Sequence, residues 1–107
     1  MIKISIFYPN TSGARFDMDY YLTKHMPDSI EKLSAGKGYR GVSVERGVGG
    51  AAPGSEPAFV AMCQYVFDSA DDFIAAFNQH VEALQGDIPN YTDIQPVIQF
   101  SSVEITK

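Results

Sequence analysis

Apolar and polar residues alternate along Ile2–Tyr8. Ile2, Ile4, Ile6 and Tyr8 fall on one side and Lys3, Ser5 and Phe7 on the other, the two-residue period of a strand. Turn-forming residues at Pro9–Gly13 end it. The period then lengthens. Met18, Leu22, Met26, Ile30 and Leu33 recur at helical spacing behind Asp17, an acceptable N-cap. Pro27 predicts a kink or a fresh helical segment with Asp28 and Glu31 in its first turn, and Gly36 and Gly38 predict a stop near Ser34.

Tyr39–Val48 reads as a second strand with Val42, Val44 and Val48 on one face, followed by a flexible loop at Gly49–Pro57. Ala58–Phe67 is the most apolar strand. Phe59, Ala61, Cys63, Tyr65 and Phe67 share one face, and Val60, Met62 and Val66 share the other, so both faces need cover. Cap and first-turn acids at Asp68–Asp72 start a second helix with the stripe Ala70, Phe73, Ile74, Phe77, Val81 and Leu84, ended by Gly86. Asp87–Asp93 is a loop. Gln95–Thr106 is a last strand whose alternation changes phase at Ser101–Ser102, the signature of a bulge.

The order β-α-β-β-α-β predicts an α+β, ferredoxin-like fold: one domain over residues 1–107, with a four-stranded antiparallel sheet and both helices on one face. Such a chain leaves the other sheet face apolar and bare. Two sheets packed face to face about a two-fold axis would bury it in a homodimer.

Composition narrows the partners. The net charge of −5 repels phosphate backbones and anionic lipid surfaces, so neither nucleic acid nor membrane is expected. The lone Cys63 excludes an intrachain disulfide and a cysteine metal site, and its strand position makes it a small core hydrophobe. The N-terminal run lacks the form of a signal peptide, and no apolar stretch reaches the length of a membrane span, so a cytoplasmic location is expected. The triplets Asn10–Ser12 and Asn90–Thr92 then read as turn chemistry, not glycosylation sites. Gly47–Ala52 superficially fits a dinucleotide fingerprint, but a strand follows it where a helix is required.

The chemically capable side chains cluster in Phe16–Pro27. The run F-D-x-x-Y-Y-x-x-x-H-M-P, carried by Phe16, Asp17, Tyr20, Tyr21, His25, Met26 and Pro27, resembles the EthD family of dimeric α/β-barrel proteins. Phe67–Phe77 and the DIPNYTD run at Asp87–Asp93 are similar to that family's second half. The Gly/Ala-rich loop at Gly47–Gly54 is longer and looser than the family pattern. The resemblance implies a homodimer with a small apolar pocket in each subunit. Similar barrels include cofactor-free quinone-forming monooxygenases, polyketide cyclases, lactone isomerases and haem enzymes. It therefore implies a cofactor-independent oxidoreductase, isomerase or cyclase, or an accessory protein, acting in degradation of a hydrophobic small molecule.

Within that frame His25 is the candidate general acid or base, since imidazole titrates near neutrality. Tyr21, one turn earlier, would hydrogen-bond it or polarise a substrate oxygen. Both are expected at the edge of the apolar stripe, where helix meets sheet. Asp17, Tyr8, Tyr65, Phe67 and Phe77 are candidate pocket residues, with Tyr91 on a loop that would lid the site. Tyr20 is expected to pack elsewhere, at a surface or dimer edge. His80 is expected at a helix edge, and no ligand spacing points to a metal. The alternative is a non-catalytic, small-molecule-binding or stress-type dimeric barrel in which His25 is structural, capping a carbonyl freed by Pro27.

Overall fold

A computed structural model describes all 107 residues. Strands β1 (Ile2–Pro9), β2 (Tyr39–Arg46), β3 (Phe59–Phe67) and β4 (Val97–Ser102) form one antiparallel sheet in the order β2-β3-β1-β4. The first crossover contains α1 (Met18–Tyr20), a π-helical turn (Tyr21–His25) and α2 (Met26–Ser34). The second contains α3 (Ala70–Asn78), α4 (Val81–Asp87) and a short 3-10 turn (Ile88–Asn90). This is the expected ferredoxin-like arrangement. Ile4, Tyr8, Ala61, Cys63, Tyr65 and Phe67 on the sheet meet Tyr21, Met26, Leu33, Phe73, Ala76 and Leu84 from the helices in one core.

Several elements differ from the pattern-based expectation. β2 ends at Arg46, and Val48 is exposed beyond it. A register shift between Tyr8 and Pro9 pairs Pro9 with Phe59, so Phe59 turns away from the helices and its ring packs 5.1 Å from Phe7. β4 is shorter than Gln95–Thr106 and stops at Ser102 without a bulge, and its edge bonds pass to Val103 N–H donating to the Met1 carbonyl. The second helix is broken at Gln79–His80, and Gly86 lies inside α4. The polar run Asn78–His80 offers no apolar side chain to the core, and Asn and His are weak helix formers.

The first helix carries the larger correction. Tyr21 and His25 are 1% and 9% exposed, while Leu22, placed on the stripe, is 40% exposed. Side chains spaced by four drift about 40° per step around a regular α-helix. Here the Met26 N–H donates to the Tyr21 carbonyl, five residues back. That wider turn cancels the drift and lines up Tyr21, His25, Ser29 and Leu33 on the buried face. Pro27 explains its position. The ring has no N–H to give to Thr23 and would crowd that carbonyl in a regular helix, and the π turn relaxes the ladder just before it.

Close packing between the crossovers rests on Gly36, where a Cβ would stand 2.7 Å from the Ala76 Cβ. Gly38, at φ +81°, turns the chain out of α2 in a conformation that favours glycine.

Candidate functional site

The two stretches that carry chemistry are stitched together although they lie at opposite ends of the chain. Phe16 and Thr92 form an isolated β-bridge. The Asp17 N–H donates to the Tyr91 carbonyl at 2.7 Å, and the Thr92 hydroxyl donates to the Arg15 carbonyl at 2.7 Å. The Arg15 guanidinium reaches the Pro89 carbonyl at 2.6 Å. This strap carries the Asp87–Tyr91 segment against the start of the first helix. Asp17 itself caps that helix, its carboxylate accepting from the Tyr20 N–H at 3.0 Å. It is not a cavity-lining residue.

The juxtaposition produces a His–Asp pair. His25 Nδ1 lies 2.9 Å from Asp87 Oδ2. Asp87 Oδ1 accepts from the Tyr20 hydroxyl at 2.6 Å and from Asn90 Nδ2 at 2.9 Å. Partial burial pulls the Asp87 carboxyl upward, but the bonds from Tyr20, Asn90 and His25 outweigh it and hold the group below the usual carboxylate range. A carboxylate only accepts, so Nδ1 carries the proton. Nε2 of the neutral ring is then a bare lone pair. It has no protein partner and is not sealed from open space, and His25 is among the residues that border the cavity.

Aromatic rings fix the imidazole. It stacks on Tyr21 (centroids 6.0 Å, planes 13° apart) and tilts against Tyr91 at 4.6 Å. Phe16, Tyr8 and Tyr20 complete the cluster around Tyr91. Each such pair contributes about 0.5–1.5 kcal/mol beyond simple burial, so the ring geometry is well determined.

The cavity beside His25 has a volume of about 90 Å³, and most of its lining is apolar. Tyr8, Ser29, Tyr65, Phe77 and Gln85 are among the residues that border it, and none of the lining residues is an acid, Lys or Arg. An adjoining groove of about 220 Å³ shares Ile6, Phe73, Phe77, Gln85 and Ile98 with it and extends to Ile4, Ile74 and Phe100. Ile98 and Phe100 lie on the helix side of β4, paired with Ile6 and Ile4, yet are 57% and 43% exposed.

The expected pocket residues therefore separate. Tyr8, Tyr65, Phe77 and His25 line the cavity. Phe67 is wholly enclosed in the core. Tyr91 is fully buried rather than a lid, and its hydroxyl bonds that of Tyr8 at 2.6 Å. Tyr21 is also enclosed, and its hydroxyl has no partner. It therefore does not reach a ligand or hydrogen-bond His25, because the π turn aims it into the core. Burial pushes the Tyr21, Tyr65 and Tyr91 hydroxyls well above the ordinary phenol range and the Cys63 thiol up to about 12. His80 leads into α4, and no cluster of His, Cys, Asp and Glu gathers at metal-binding density. No helix is long and apolar enough to cross a membrane.

Sequence reasoning missed Asp87 and Tyr20. The one local signal for Asp87 was its place at the C-terminal end of a helix, where a carboxylate is electrostatically out of place without dedicated donors.

Comparison with known proteins bears on the family and the fold. A family model described as the EthD domain matches residues 9–95. An EthD-like protein from Ralstonia eutropha JMP134 is 47% identical, covering 99% of this chain and 94% of its own, with a TM-score of 0.90. An ethyl tert-butyl ether D (EthD) family protein from Bacillus halodurans C-125 is 19% identical over 96% of this chain and 98% of its own. Its TM-score of 0.71 shows a shared fold. No curated protein matches the chain significantly.

Proposed function

The chain belongs to the EthD family, and from that membership and the site geometry we propose a homodimeric protein in which His25 transfers protons to and from a hydrophobic small molecule. The observation that carries this reading is the 2.9 Å bond between His25 Nδ1 and Asp87. It supports a neutral ring with the proton on Nδ1 and Nε2 as the base toward an apolar cavity. Once protonated, the same atom returns the proton as an acid. The two further donors on the carboxylate, from Tyr20 and Asn90, favour this reading over a purely sequestering pocket. Proton removal needs no metal or nucleotide. It suits an isomerase or cyclase directly, and it is also a reasonable first step for a cofactor-independent oxygenase in breakdown of a hydrophobic compound.

The homodimer is supported by the open sheet face. There Phe7, Phe59, Met62 and Val66 stay half-buried and Val97 is 52% exposed, an apolar surface of the kind that marks an interface.

Heteronuclear NMR of the imidazole nitrogens tests the base. The expected result is Nδ1–H as the tautomer of the neutral ring, and an Nε2–H tautomer in the wild-type protein would overturn the reading. Native mass spectrometry tests the dimer, and a protein that stays monomeric at micromolar concentration would remove that part.

A further inference from the structure

The hydroxyl groups around the cavity indicate what kind of ligand it holds. Tyr91 is fully buried, and its hydroxyl has one partner, the Tyr8 hydroxyl at 2.6 Å. A buried O–H that donates to nothing is costly, about 1–3 kcal/mol. Tyr91 therefore donates to Tyr8, not the reverse. Tyr8 borders the cavity and Tyr91 does not, so Tyr8 is the member of the pair with a proton to spare for a ligand. Burial raises the Tyr8 hydroxyl's pKa, and the bond from Tyr91 works against that rise. The Ser29–Tyr65 pair repeats the arrangement at 2.8 Å. Both of its members line the cavity. Two hydroxyls joined by one bond always leave one proton to spare. A mostly apolar cavity without a cation is thus bordered by two hydroxyl pairs, each with one proton to spare, and by the His25 imidazole.

We propose that the cavity is built for an apolar ligand that becomes an oxyanion, an enolisable ketone or a phenol. Tyr8, polarised by Tyr91, and the Ser29–Tyr65 pair bind the oxygen while His25 takes the proton. The inference rests on the base reading of His25. The step balances without a redox partner. The C–H or O–H bond breaks, its proton goes to Nε2, and its electron pair stays on the ligand as enolate or phenolate. Imidazolium and oxyanion form together, so the cavity's net charge does not change. Return of the proton to a different atom of the ligand makes the net reaction an isomerisation. Fixed donors aimed at developing negative charge are most effective where water is excluded. The groove toward Ile74 and Phe100 gives the ligand's apolar remainder a place to lie.

The test uses 4-nitrophenol, whose ionisation is visible by absorbance, and 4-nitroanisole, its neutral methyl ether. Wild-type protein is expected to bind 4-nitrophenol as phenolate at a pH where the free compound is neutral. Tyr8→Phe should weaken phenolate binding by about 10- to 100-fold, and Tyr91→Phe by a smaller factor of about three. Both variants should bind 4-nitroanisole like the wild type. Equal phenolate affinity in wild type and Tyr8→Phe overturns the proposal. So does a parallel loss of 4-nitroanisole, which would make Tyr8 a packing residue, and so does a wild type that never ionises the probe. His25→Ala separates the two readings. If ionisation at low pH is lost there while phenolate added at high pH still binds in a Tyr8-dependent way, both hold. If ionisation persists, the base reading falls and the donor site stands.

Discussion

His25 and Asp87 are 62 positions apart in the chain and 2.9 Å apart in space. Neither residue's own helix accounts for the meeting. It depends on the π turn that rotates His25 onto the buried face and on the strap that carries the Asp87–Tyr91 segment against Phe16 and Asp17. A backbone irregularity on one crossover and a side-chain network on the other thus converge on one imidazole.

Replacing Asp87 by Asn should do more than weaken the bond. The Tyr20 hydroxyl and Asn90 Nδ2 both donate to Oδ1, so the new amide will keep its oxygen toward them and turn its NH₂ toward His25. Nδ1 must then accept, and the proton moves to Nε2. Imidazole nitrogen NMR should show the tautomer reversed, and proton transfer should fall by about 10²-fold or more. Retention of the Nδ1–H tautomer in Asp87→Asn would contradict the assigned network.

Acid should unmask the same carboxylate. Its folded pKa lies below the ordinary carboxylate value, so the folded state holds the ionised form more tightly than the unfolded chain does. Its contribution is complete above that unfolded value and disappears as pH falls through the lower folded one. Thermal melts should therefore show wild-type Tm falling more steeply than that of Asp87→Asn between about pH 4 and pH 2. Parallel curves would mean that the bonds to Asp87 do not stabilise the fold.

The order of elements, the helix caps at Asp17 and Ser69 and the identity of most core residues were legible from period and capping chemistry. Phase was harder. A four-residue spacing cannot reveal that the π turn before Pro27 buries Tyr21 and His25 and exposes Leu22. Nor can alternation reveal that the register shift at Tyr8 and Pro9 turns Phe59 over. Of the candidate site, His25 was visible because a lone imidazole beside tyrosines is chemically conspicuous. Asp87 was not, because its partners come from residues 20, 25 and 90, and only the closed fold gathers them.

Tyr21 provides a test of how its enclosed hydroxyl is accommodated. The group is buried without a partner, a cost of about 1–3 kcal/mol. Tyr21→Phe should keep the ring packing and leave Tm unchanged or raise it by a few degrees, at about 4–8 °C per kcal/mol for a chain near this size. Tyr91→Phe, which breaks a made hydrogen bond, should lower Tm under the same conditions. A clear loss of stability in Tyr21→Phe would show that an ordered water satisfies the hydroxyl.

The approach of the two crossovers can be tested at Gly36. A methyl group there would sit 2.7 Å from the Ala76 Cβ, 3.2 Å from the Leu33 carbonyl oxygen and 3.7 Å from the Phe67 ring. Neither the backbone carbonyl nor the Ala76 Cβ has a flexible end that can swing aside, so the segment after α2 must shift from α3. Overpacking of this kind costs about 1–3 kcal/mol. Gly36→Ala should lower Tm accordingly. The double variant Gly36→Ala/Ala76→Gly should recover part of the loss, because it removes the closest clash at the cost of a glycine inside α3. Additive losses in the double variant would mean that the two positions do not press on each other, and the packing of α2 against α3 would need another explanation.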